Sequence, residues 1–174
     1  MRKLLLLTAI TFLFASCNKE KEYDEKLKET FKPSVFALMY CSVICDGVQE
    51  AWRTAIFDNK TPSGKYCNDF DDAIDEMMTY YKENGTLDSL DYYKSKLAVA
   101  ASELADPPSS RKECYNDMLK YVSDIIEFCN IARSPRGSYS SYKEEVEELF
   151  DKIKKDSDQL TIKHGKILRV EEKE

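Results

Sequence analysis

Apolar residues recur at helical intervals from about residue 20 to residue 163. Tyr23, Leu27 and Phe31 sit four apart on one face among charges, and Pro33 then kinks this segment or restarts it at a first helical turn. Val35, Leu38, Met39, Ser42, Cys45, Trp52 and Ile56 continue the rhythm, while Phe36, Tyr40 and Val43 fill a second face. A helix apolar on two faces belongs at the centre of a fold. It stops near Asp58 and Asn59, ahead of the turn cluster Thr61-Pro62-Ser63-Gly64. Phe70, Ile74, Met77, Met78 and Tyr81 predict a second helix from about Asn68 to Tyr81, closed by Asn84-Gly85. Leu87, Leu90, Leu97, Ala101 and Leu104 predict a third, ended by Asp106-Pro107-Pro108. Cys114, Met118, Tyr121, Val122, Ile125, Cys129 and Ala132 stripe a fourth, and Val146, Leu149, Phe150, Ile153, Ser157 and Leu160 a fifth that Gly165 should end. Ser110 with Glu113, and Ser141 with Glu144, have the spacing of capping boxes. Glu148–Lys152 and Asp151–Lys155 are spaced for ion pairs along the last helix. The expected fold class is all-α: an antiparallel bundle of four to five helices with short connections.

Composition narrows the function classes. The chain has 174 residues, enough for one domain, with only 5 glycines and 5 prolines, few for a sandwich with many tight turns. A formal net charge of -6 argues against nucleic acid as a partner. The single histidine, His164, removes most histidine catalysis and most zinc sites, and no nucleophile motif stands near it.

The amino terminus departs from this pattern. Arg2 and Lys3 precede an apolar run from Leu4 to Ala15, which is too short to span a bilayer comfortably but has the length of a signal-peptide core. The run ends in Phe14-Ala15-Ser16-Cys17, which resembles the lipobox of bacterial lipoproteins, with Phe14 where leucine is commoner. The resemblance implies lipidation of the Cys17 thiol, cleavage just before it, and a membrane anchor. Losing Arg2 and Lys3 would take the formal charge to -8, so the body is expected to stand off anionic headgroups on its tether. Asn18-Lys19-Glu20-Lys21-Glu22 is similar to the surface-export signal of Bacteroidota lipoproteins; the bland alternative is a solvated linker. The implied place is the cell envelope, as an outer-membrane lipoprotein that faces either the surface or the periplasm. The expected division is signal peptide 1–16, lipidated cysteine and tether or leading helix 17–32, bundle 33–164, and charged tail 165–174.

Five cysteines remain beyond Cys17. An exported chain can keep disulfides. If the first and third long arms of an up-down bundle run the same way, Cys41 and Cys114 share one end and Cys67 and Cys129 the other, so Cys41–Cys114 and Cys67–Cys129 are the expected bridges; otherwise these are small buried residues. Cys41 and Cys45, four apart, have a spacing that soft metals use, but no second pair completes a set. The carboxylates Asp69, Asp71, Asp72, Asp75 and Glu76 lack the glycine and glutamate register of a calcium loop and suit a helix start. No metal and no cofactor is expected.

Asp88-Ser89-Leu90 is similar to the short motif O-glycosylated in exported Bacteroidota proteins, at Ser89; helix capping by Asp88 or Ser89 is the alternative. Residues 132–142, with Ser134-Pro135-Arg136-Gly137, resemble a layout in small helical lipoproteins of unassigned activity. The residues suggest a non-enzymatic envelope module that binds a partner protein or ligand. The alternative is a carrier of a small apolar ligand in an interhelical pocket.

Overall fold

The expected all-α fold is present. The computed structural model describes the backbone of residues 2–168 and the side chains of residues 19–168, so the lipobox side chains, Cys17 included, lie outside the described ones. Helix α1 spans Arg2–Asp58, α2 Phe70–Glu83, α3 Thr86–Ser102, α4 Lys112–Arg133 and α5 Tyr139–Leu168, with a 3₁₀ turn at Ser109–Arg111. Among the described residues there is no strand, only an isolated bridge between Lys60 and Tyr66 in the α1–α2 loop.

Cross-helix pairs fix the directions. Asp24 meets Arg111, Ser34 meets Tyr121 and Cys41 meets Cys129, at sequence separations of 87, 87 and 88. A constant separation means that α1 and α4 run parallel. Tyr23 donates to the Leu104 carbonyl, while Phe36 and Tyr40 stack on Tyr93, so α3 runs antiparallel to α1. Tyr81 of α2 donates to the Val43 carbonyl. Helices α2 and α3 therefore form one descending arm, broken at Asn84-Gly85, where Gly85 takes φ 79°. On α5, Asp156 pairs with Lys120 and Lys152 with Asp124, antiparallel to α4. The result is a four-arm up-down-up-down bundle with α1 in contact with every other helix.

Helix α1 can be central because its inward face is small. Ala37, Cys41, Cys45, Ala51 and Ala55 are buried there beside Ile44, Val48 and Trp52. Small side chains let four neighbours approach one axis. Gly47 extends the same logic, since a Cβ there would fall 2.0 Å from the Tyr81 hydroxyl.

Several expectations are corrected. Of the two expectations for Pro33, the restart is not met, because α1 passes through it as one helix. Nearby hydroxyls serve the local carbonyls: Thr30 donates to Lys26 and Ser34 to Phe31, both side chains fully buried. The boundary at residue 33 thus falls inside a helix whose Tyr23 and Leu27 already belong to the core. Gly165 does not stop α5, which runs on to Leu168. Ser110 does not cap α4 but donates to Glu20. At α5 the reciprocal cap joins Ser138 and Ser141, one turn earlier than the expected box. Lys152 reaches across to Asp124 at 2.6 Å instead of along its own helix to Glu148.

The expected bridges Cys41–Cys114 and Cys67–Cys129 are absent, and all five described cysteines are free and buried. The reason is register. Because α1 begins well before residue 33, Cys41 lies mid-arm. Cys114, three residues past Arg111, is level with about residue 27, roughly 21 Å below Cys41 along the axis. Cys67 is tied by its amide to the Asn59 carbonyl at the far end of α1, about 27 Å beyond the level of Cys129.

Candidate functional site

The outward stripe of α1 is apolar where a bundle normally places charge. Val35, Phe36, Met39 and Val43 are 45–53% exposed. Four of the apolar residues expected in the core thus face solvent; the inner side was already filled by Ala37, Cys41, Ile44 and Cys45. The same surplus is why the stretch Lys19–Asp58 holds a window apolar enough to cross a membrane, with mean hydropathy 1.3, although here it is the hub of a bundle.

Helix α3 continues the surface. Tyr92 and Val99 are exposed on it, with half-buried Tyr93 between the helices. Phe36 stacks on Tyr93 at 4.8 Å between centroids and 13° between planes; Tyr40 stacks on it at 5.8 Å. Tyr92 meets Tyr93 edge-on at 5.1 Å, and Lys96 lies 5.6 Å over the Tyr92 ring. These contacts hold the aromatic floor rigid, so little rotamer freedom remains to be lost on binding. A groove of about 350 Å³ runs along it, lined by Pro33, Phe36, Tyr92, Tyr93, Val99 and Ala100. Its rim carries Glu29, Lys32, Lys96 and Glu103, charges of both signs. Scattered single exposed hydrophobes are normal, whereas four on one face of α1 beside two on α3, with a stacked aromatic pair between the helices, make a candidate interaction surface. Periodicity found Val35, Phe36, Met39 and Val43 but could not say which of α1's two apolar faces was covered, and it did not single out Tyr92, Tyr93 or Val99, which fall off the core stripe of α3.

A second cluster joins α4 and α5 at the opposite end of the bundle from the α1–α2 loop. His164, the single histidine, is buried and lies with Nε2 3.0 Å from Asp117 Oδ2. Burial alone would raise the Asp117 pKa, but hydrogen bonds from His164 and Lys163 outweigh it and hold the carboxyl below its ordinary value. Glu113, Asp117 and His164 offer three ligand atoms within 4.8 Å of one another. The Lys163 ammonium stands 3.2 Å from Asp117 and 3.8 Å from Glu113, and so already supplies the positive charge there. The adjacent Cys114 thiol is pushed up to about 11 by burial and by the carboxylates of Asp117 and Asp24, which keeps it protonated rather than nucleophilic.

Ser89 lies in the first turn of α3, partly buried, its hydroxyl donating to the Gly85 carbonyl at 3.0 Å. Neither it nor Asp88 caps α3: Gly85 takes the cap position without a side-chain cap, and Asn84 Oδ1 just before it accepts from the Thr86 amide and hydroxyl. Asp69 caps α2 by accepting from the Asp71 amide, with Asp71 and Asp72 in the first turn, as the helix-start reading requires. The groove bordered by Ser42, Cys45, Phe128 and Phe150 holds about 310 Å³ and, like the α1–α3 groove, opens to solvent rather than forming a closed interhelical pocket.

No family model matches the chain, and no curated protein or solved structure is similar to it.

Proposed function

We propose that this chain is a lipid-anchored envelope protein that is not an enzyme and docks a partner protein on the aromatic face between α1 and α3. The observation that carries the reading is the exposed run Val35, Phe36, Met39, Val43, Tyr92 and Val99 over a stacked aromatic floor. The apolar leader and Phe14-Ala15-Ser16-Cys17 support the anchor.

The structure changes what such an anchor would do. The expected tether is largely absorbed into the bundle, because Glu20, Tyr23 and Asp24 are already held by Ser110, Leu104 and Arg111. Only two residues separate Cys17 from Glu20, and the three chain steps between them reach about 10 Å fully extended. A lipid on Cys17 would therefore set the Leu104–Arg111 end of the bundle against the membrane instead of letting the body stand off. The aromatic face begins 18 residues and ends 26 residues beyond Cys17 along α1, about 27–39 Å from the anchor. With α1 upright on the membrane, that distance lies beyond the headgroups, which favours a protein over a lipid surface as its occupant. Mixed rim charges and apolar centre suit an apolar segment edged by both signs.

The test is a photoreactive residue placed at Met39 and, separately, at exposed Lys154 of α5, in the native envelope. Position 39 should give one discrete heavier adduct, lost in Phe36→Glu, and position 154 should give none. No adduct from position 39, equal adducts from both positions, or an adduct of twice the chain's own mass would overturn the reading.

A further inference from the structure

The core holds a thiol pair that the sequence had assigned to other partners. Cys41 of α1 and Cys129 of α4 face each other with Sγ atoms 3.5 Å apart, both side chains fully buried. A disulfide requires about 2.05 Å, so the two sulfurs are near but unbonded. Cys45, one turn along α1, turns away toward α5, where the Tyr142 hydroxyl donates to its sulfur at 3.3 Å. The parallel register of α1 and α4 puts no other cysteine level with this pair, since Cys114 sits with Asp24 and Arg111 and Cys67 with Asn59.

We infer that Cys41 and Cys129 form a disulfide that staples the bundle's hub helix to α4 when the chain folds in the presence of a disulfide oxidant.

The chemistry balances with a small-molecule or protein disulfide as oxidant. Cys129, as thiolate, attacks one sulfur of that disulfide and releases the other as a thiol, which takes up the Cys129 proton. Cys41 then loses its proton and attacks the Cys129 sulfur of the mixed disulfide, expelling the second thiol. Two protein thiols are oxidised and one external disulfide is reduced to two thiols. The balance is the same with the two cysteines exchanged, since the first attack precedes burial. In the folded pair Cys41 donates its S–H to the Cys129 sulfur, so the two atoms already point at each other. Full burial closes the folded pair to reagents, so the bond forms as the arms come together and is afterwards shielded. The closed loop spans 88 residues, the kind of long loop whose closure constrains an unfolded chain most in the chain-entropy picture.

The test refolds the reduced, denatured chain in a glutathione and glutathione-disulfide buffer, blocks remaining thiols with iodoacetamide under denaturing conditions, and reads the peptides by mass. The expected result is one cross-linked peptide pair carrying Cys41 and Cys129, two hydrogens lighter than the free peptides, with Cys67 and Cys114 alkylated. No basic residue separates Cys41 from Cys45, so variants decide between them: the cross-link persists in Cys45→Ala and disappears in Cys41→Ala. Refolded wild-type chain with Cys41 and Cys129 both alkylated, or a cross-link that survives Cys41→Ala, would overturn the inference. This test needs no membrane and no partner, so its outcome is independent of the proposed function.

Discussion

Arg111 grips Asp24 with two hydrogen bonds, Nε to Oδ1 at 2.6 Å and an Nη to Oδ2 at 3.0 Å, and so fastens α1, well before Pro33, to the start of α4. Both side chains are about four-fifths buried. A bidentate charged pair in that setting holds what would otherwise be a loose leading segment. Arg111→Ala should lower stability by about 1–2 kcal/mol. It should also speed proteolysis on the amino-terminal side of Phe31, measured by limited trypsin digestion against the wild type. An unchanged cleavage pattern would show that residues 20–31 are held by something else.

The Asp117 cluster predicts an acid-range dependence. Because Asp117 is more acidic folded than its ordinary value, its contribution is present above the unfolded pKa of about 3.9 and is lost as pH falls through the lower folded value. Asp117→Asn should therefore be less stable than wild type at pH 7, with the gap closing below about pH 4. Urea midpoints at both pH values read this directly. A gap that stays constant would mean that the Asp117 charge contributes nothing.

Gly47 and Tyr81 should be energetically coupled. Alanine is favoured over glycine inside a helix by about 1 kcal/mol, yet a Cβ at position 47 would collide with the Tyr81 hydroxyl. That hydroxyl is anchored at 2.8 Å on the Val43 carbonyl and cannot swing away without losing its bond. The collision should win: Gly47→Ala is expected to destabilise by about 1–2 kcal/mol. In Tyr81→Phe the obstructing oxygen is gone, so the double variant should fall short of the sum of the singles by at least 0.5 kcal/mol, on the order seen for contacting residues.

The two faces of α1 should differ in their response to substitution. Met39→Lys and Val43→Lys, on the exposed stripe, should leave the denaturation midpoint within about 0.5 kcal/mol of wild type. Ile44→Ala, fully buried one position from Val43, should cost about 2–4 kcal/mol. The fluorescence of Trp52, the only tryptophan, packed 5.2 Å from Tyr142, reports unfolding in each case.

How far the sequence could be read follows from where its contrast was sharp. Helices α2 to α5 carry one apolar stripe each against charge, and their stripes are close to the observed core: Ile74, Met118, Ile125, Ile153 and Leu160 are all buried. Phe70 is an exception, exposed at the very start of α2. Helix α1 has apolar residues nearly all round, so periodicity gave no phase. The large side chains at 35, 36, 39 and 43 looked like core, while the actual inner face is largely alanine and cysteine, with Ile44, Val48 and Trp52 among them. Pro33 hid the register. Read as a break, it placed Cys41 near the end of an arm, and the levels assigned from there were off by about four to five turns. His164 gave no sign of its partner, because Asp117 lies 47 residues away on another helix.

The anchor is the part of the account on which location, orientation and the height of the aromatic face all depend. The mass of the mature chain's amino-terminal peptide, taken from the native envelope, tests it most directly. The account predicts a chain that begins at Cys17 and carries a diacylglyceryl group on its sulfur. A chain that still contains residues 1–16, or one whose Cys17 thiol is free, would contradict it.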